Sequence, residues 1–105
     1  MGDNRLVLAF QPHTYTRTKL LMDDFIRELG KADVLVLAEI YAARESNTVG
    51  ISSADLARRI PGAIYCETLQ EVTATLRETV RPGDIVVTMG AGDIFRAGEA
   101  LLAKE

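Results

Sequence analysis

A chain of 105 residues, 48% of them hydrophobic and 26% charged, carries one domain's worth of core-forming material and needs no metal or disulfide staple. Its formal net charge of −3 provides no basic field for nucleic acid, and no apolar run is long enough to cross a bilayer. A single cysteine, Cys66, excludes an internal disulfide and, with no signal-peptide pattern at the start, fits a reducing, cytoplasmic setting.

Met1 and Gly2 read as a start and a joining remnant, which leaves 3–105 as the domain. The first apolar run, Arg5 to Phe10, is a strand. It leads into "QPHTYTRT", which holds the chain's one histidine, His13, together with Thr14 and Arg17. A helix is expected over roughly Thr18 to Leu29, with Leu21, Phe25 and Leu29 four apart and Gly30 as its stop. Val34 to Ala38 is apolar throughout, as a strand covered on both faces must be.

A longer connection, Glu39 to Gly50, then reaches "SSAD", where Ser52 and Asp55 have capping-box spacing ahead of Leu56, Ala57 and Ile60. Pro61-Gly62 is a turn and Ile64 to Cys66 a short third strand. Thr68 and Glu71 have the same capping-box spacing, before a helix with Leu69, Val72, Leu76 and Val80 on one face. "RPGD" (Arg81 to Asp84) turns the chain into a fourth strand, Ile85 to Met89. "GAGD" (Gly90 to Asp93) leads into a last helix, Ile94 to about Lys104.

Four strand–helix units in this alternation predict an α/β domain: a three-layer, Rossmann-like fold with a four-stranded parallel sheet and helices on both faces. Right-handed crossovers favour strand order 3-2-1-4. Ligands of such sheets sit beyond the carboxyl ends of the strands, where the order reverses, here between the first and fourth strands. That crevice would be bordered by the loop with His13, Thr14 and Arg17 and by the loop with Gly90, Ala91, Gly92 and Asp93.

His13 at that rim has three readings: a ligand hydrogen-bonder, a general base, or a capping side chain. Arg17 sits near a helix start, where the dipole favours anions, so it reads either as a fork for an external carboxylate or phosphate or as half of a surface ion pair. The glycines of "GAGD" permit close backbone approach, and Asp93 suits a helix N-cap. Gly90, Gly92 and Gly98 miss the dinucleotide spacing GxGxxG, so the loop reads as a tight turn lining a site.

Cys66 reads as a small buried residue; Glu39, Tyr41, Arg44 and Glu45 follow the second strand, also on the functional rim, and read as a solvated charged loop. One histidine and one cysteine make no metal site, and there is no phosphate-binding GxxxxGK[ST] motif. The apolar "DIVVTM" is unusual for a sheet edge and needs a cover, whether another segment or a second copy paired edge to edge.

In order, "FQPHTYTRT" (10–18), "DDF" (23–25), "AD" (32–33), "IYAARE" (40–45), "GISS" (50–53) and "PGDIVVTMGAGDI" (82–94) resemble the C-terminal domain of the Mur ligases, enzymes of peptidoglycan and cell-wall synthesis. The first and fourth stretches favour the branch that adds L-alanine to UDP-N-acetylmuramate. The resemblance implies a cytoplasmic ATP-dependent ligase with Mg2+. The sugar nucleotide would bind an N-terminal domain and ATP a central one, neither present in this chain.

It further implies that His13 and Arg17 lie at the amino-acid site, with Arg17 as clamp on the alanine carboxylate. Thr14 stands where many members carry arginine. The family's domain usually starts earlier, with a segment like "DDYAHHP", so the chain is expected to be an N-terminally trimmed part, inactive alone and binding no cofactor itself. The alternative is a free-standing Rossmann-like module for a nucleotide or small anion.

Overall fold

The computed structural model describes residues 4–42, 46 and 50–90. Four strands, β1 (Leu6–Gln11), β2 (Val34–Ala38), β3 (Ile64–Cys66) and β4 (Ile85–Gly90), form one sheet in the order β3-β2-β1-β4, every pair parallel. The expected order and parallel sense are therefore observed.

Alternation along β1 divides the core in two. Val7 and Ala9 point to the face where Val36, Ala38 and Cys66 meet Val72 and Leu76 of α4 (Leu69–Thr79). Leu8 and Phe10 point to the other face, joining Leu35, Leu37, Leu29 of α2 (Met22–Leu29) and Leu56 of α3 (Ser53–Arg58). Among the described residues, α2 and α3 thus cover one face and α4 the other, as successive right-handed crossovers dictate when the strand order reverses after β3. Cys66 is buried against this core, as expected.

The first helix departs from expectation at both ends of its first turn. It starts at Tyr15 rather than Thr18 because Thr14 accepts a hydrogen bond from the Arg17 N–H as N-cap, giving α1 (Tyr15–Leu20). It is interrupted at Leu21 (φ −99°, ψ 13°), although the i+4 bonds Leu21 N–H to Arg17 O and Phe25 N–H to Leu21 O run across the break. Packing distinguishes the halves. Thr18 is the buried residue of α1 and Leu20 is 81% exposed, whereas Met22, Phe25, Ile26 and Leu29 of α2 dock on the sheet.

Ser52 and Asp55 make the expected reciprocal capping box. At α4 the Thr68 hydroxyl accepts from the Glu71 N–H, but Glu71 reaches one residue further back, to the Glu67 N–H. The last helix, with Ala91, Gly92 and Asp93, lies outside the described residues.

Candidate functional site

The strand order places the carboxyl ends of β1 and β4 side by side, with Gln11 opposite Gly90 in the ladder. Gly90 has φ 130°, and a Cβ there would be driven into the backbone carbonyl oxygen of Gln11, with the Gln11 carbonyl carbon and nitrogen at 3.0 Å. The glycine therefore lets two backbones meet at the switch point. Within the Gln11 side chain, Nε2 donates to the Glu39 carbonyl (3.1 Å), while the buried Oε1 accepts from no group among the described residues.

Beyond Gln11 the chain does not simply loop away. Buried Pro12 accepts at its carbonyl from the Tyr41 N–H (2.9 Å), and the Thr14 N–H donates to the Tyr41 carbonyl (2.8 Å). His13 and Tyr41 are thus bridged in parallel, and their rings stack with centroids 5.9 Å apart and planes inclined by 21°.

Thr14 has φ 63° and ψ 149°, a region populated almost only by glycine and costly for a β-branched residue. Its neighbours over-determine the conformation: its N–H is held by Tyr41, its Oγ1 takes the Arg17 N–H, and its carbonyl accepts from Thr18 N and Oγ1. Arg17 stands exposed on α1, and among the described residues no carboxylate pairs with it.

The exit of β2 is organised by Glu39. One carboxylate oxygen accepts from the backbone N–H groups of Ile40 (2.9 Å) and Ser53 (3.0 Å), the other from the Tyr65 hydroxyl at 2.5 Å. Burial alone would push this carboxyl up; the donors from Tyr65, Ser53, Ile40 and Ser52 outweigh it and hold the group below its ordinary value. Burial, reinforced by the Glu39 carboxylate, pushes the Tyr65 hydroxyl up to about 12. Glu39 and Tyr41 are therefore not the solvated loop that composition suggests. Arg44 and Glu45 lie outside the described residues.

Of the expected site residues, the structure brings His13, Thr14 and Arg17 to the same rim as Gly90; Ala91, Gly92 and Asp93 lie outside the described residues. Sequence reasoning missed Gln11; it set Glu39 and Tyr41 on this rim but not their partners Tyr65, Ser53 and His13. A cleft of about 240 Å3 lined by Asn4, Arg5, Arg81, Pro82, Gly83 and Asp84 lies at the opposite, amino ends of β1 and β4. There Arg5 forks onto Asp84 (2.7 and 3.2 Å) and donates to the Thr79 carbonyl, so its guanidinium is committed to joining the two strands.

Comparison with known proteins gives the family of the chain. The family described as "Mur ligase, glutamate ligase domain" matches residues 1–92. Among curated relatives, the UDP-N-acetylmuramate–L-alanine ligase of Agathobacter rectalis is 50% identical over 105 residues, covering 96% of this chain and 23% of that protein. That of Lachnospira eligens is 48% identical over 103 residues (94% and 22%), and that of Neisseria meningitidis 48% over 106 (96% and 23%). The chain spans less than a quarter of the length of these relatives. A family match over nearly the whole chain, on a parallel 3-2-1-4 sheet, establishes that this chain belongs to the Mur ligase family.

Proposed function

We propose that this chain is the amino-acid-receiving part of a ligase that joins L-alanine to UDP-N-acetylmuramate in cytoplasmic peptidoglycan synthesis. The observation that carries the reading is Arg17: an exposed residue in the first turn of α1, four residues after His13, with no carboxylate partner among the described residues. Its planar fork matches a carboxylate, and an α-amino acid bound by its carboxylate presents its amine outward for bond formation.

Thr14 contributes at most a hydroxyl, since its Oγ1 already accepts the Arg17 N–H; His13 lines the approach. Gly90, opposite Gln11 in the ladder, borders the other side of the crevice, and Ala91, Gly92 and Asp93 are assigned to the same site from the sequence alone. The names of the relatives favour this reading over a free-standing nucleotide or anion module.

ATP and Mg2+ would be the parent ligase's cofactors, and the residues here do not fit them. The chain has no phosphate-binding GxxxxGK[ST] loop, and no group of three metal-ligating side chains occurs among the described residues. We assign phosphate activation of the sugar's carboxyl to further segments of a complete ligase, and the chain alone is expected to be catalytically inactive.

The test is an amide-shift titration of this chain with L-alanine, D-alanine, ATP and NAD. Movement at His13, Arg17 and Gly90 with L-alanine, and less with D-alanine, is the expected result. Movement with a nucleotide alone would overturn the reading in favour of the free-standing module.

A further inference from the structure

We propose that Tyr41 is a positioning residue of this site, its ring holding the His13 imidazole face-on at the rim where the amino acid enters. The proposal rests on the reading of His13 as part of the amino-acid site. Three observations carry it.

The backbones of the two residues are locked together beyond the end of the sheet, by Tyr41 N–H to Pro12 O at 2.9 Å and Thr14 N–H to Tyr41 O at 2.8 Å. That bridge fixes where the two side chains start but not how the rings lie. The rings nevertheless lie nearly parallel, 21° apart at 5.9 Å, a stacked arrangement that restricts rotation of the imidazole.

Tyr41 keeps 43% of its surface exposed, so the ring is not placed there to fill the core. Its placement is instead built from below. Glu39 clamps the Ile40 and Ser53 N–H groups, and Ile40 is buried, which directs the next residue out onto the rim. An imidazole without this wall would sample several rotamers, and a ligand selecting one of them would bear the ordering cost.

The experiment separates ring from backbone. Tyr41→Leu keeps the backbone bridge and loses the aromatic face; Tyr41→Phe keeps the face and loses only the hydroxyl. The chain has one histidine, so its imidazole protons give a single set of signals. In this chain they should move downfield in Tyr41→Leu, as the ring current is lost, and stay in place in Tyr41→Phe. The amide spectrum reports that both variants remain folded.

In a complete ligase carrying this domain, Tyr41→Leu should raise the KM for L-alanine about three- to tenfold, the equivalent of one aromatic stack, leave the KM for ATP unchanged, and be rescued by Tyr41→Phe. Unmoved imidazole signals in Tyr41→Leu would overturn the proposal at the level of geometry. Moved signals with an unchanged alanine KM, where His13→Ala does raise it, would overturn the positioning role and leave the site assignment standing. If neither variant changes the alanine KM, the assignment of His13 to the site falls, and this proposal with it.

Discussion

At the scale of single residues, the rim of the sheet is made by two backbones held where side chains would normally forbid them. Thr14 occupies a glycine-only conformation (φ 63°, ψ 149°), and such a residue stores about 1–3 kcal/mol. Thr14→Gly removes the strain at the cost of a cap, a loss of a few tenths of a kcal/mol for glycine. Urea denaturation should therefore show a gain of about 1 kcal/mol. An unchanged or lower midpoint would mean that the hydroxyl's bond to the Arg17 N–H outweighs the strain. Gly90→Ala runs the other way. The obstacle to its Cβ is the backbone of Gln11 rather than a movable side chain, so β1 and β4 must separate where they pair. A loss of at least about 2 kcal/mol is expected, with the largest amide-shift changes at Gln11 and its ladder neighbours. Arg17 is different in kind, because it is exposed and leans on nothing described. Arg17→Ala should leave the stability of this chain within about 0.5 kcal/mol of its starting value. In a complete ligase it should raise the KM for L-alanine, by the equivalent of about 2–5 kcal/mol if closure buries the pair, with little effect on ATP. An unchanged alanine KM would sink the clamp.

At the scale of elements, Glu39 and Tyr65 tie the carboxyl ends of β2 and β3 to the start of α3. Tyr65→Phe removes a charge-assisted bond of 2.5 Å and should cost about 1.5–3 kcal/mol at neutral pH. The pair also sets both limbs of the pH profile. The Glu39 carboxyl sits below its ordinary 4.5 in the folded chain, so its contribution is full above that value and is lost as pH falls through the folded one. Tyr65, pushed from 10.0 to about 12 by burial and by Glu39, keeps its proton in the fold after the unfolded chain has released it; stability therefore falls as pH rises from 10.0 toward about 12. Tyr65→Phe should flatten the alkaline limb and soften the acid one. Part of the acid limb should remain through Asp84, which hydrogen bonds from Arg5 hold below the ordinary carboxyl range. Identical profiles for the two proteins would remove the linkage. The same elements show what a linear reading can reach. The four apolar runs, the Ser52–Asp55 box and the Leu69–Val72–Leu76 stripe are local patterns and lie where expected. The α1 start at Tyr15 was less visible, because Thr14 caps it from a backbone region that threonine rarely enters. Tyr41 and Glu39 were legible as rim residues, but their contacts were not: their partners, His13 and Tyr65, are 28 and 26 residues away in the chain, so no spacing rule connects them. A charged stretch with one tyrosine looks solvated until the sheet order folds it against the first loop.

At the scale of the whole molecule, the fold leaves β4 as an outer strand, and among the described residues nothing pairs with its free side. Ile85 and Met89, on the face that also carries Val87, remain 49% and 50% exposed. Outer strands in stable monomers are blunted by charge, proline or a bulge, and the described part of β4, Ile85 to Gly90, has none of these. The chain also spans less than a quarter of its relatives, so a complete ligase has ample further chain with which to cover this edge. No helix among the described residues is long and apolar enough to cross a membrane. For the isolated chain we propose a second copy as the cover, joined β4 to β4; a net charge of −3 opposes such pairing only weakly at ordinary salt. Sedimentation equilibrium should then show the mass of the chain rising from monomer toward dimer with concentration. Replacing both Ile85 and Met89 by lysine places two cations on the edge of each copy, which should hold the variant at monomer mass over the same range while its amide spectrum stays folded. A wild-type chain that stays monomeric throughout would show that the edge is already covered within the chain. A variant that still dimerises would place the contact on another surface, the 81%-exposed Leu20 of α1 being the first to substitute next.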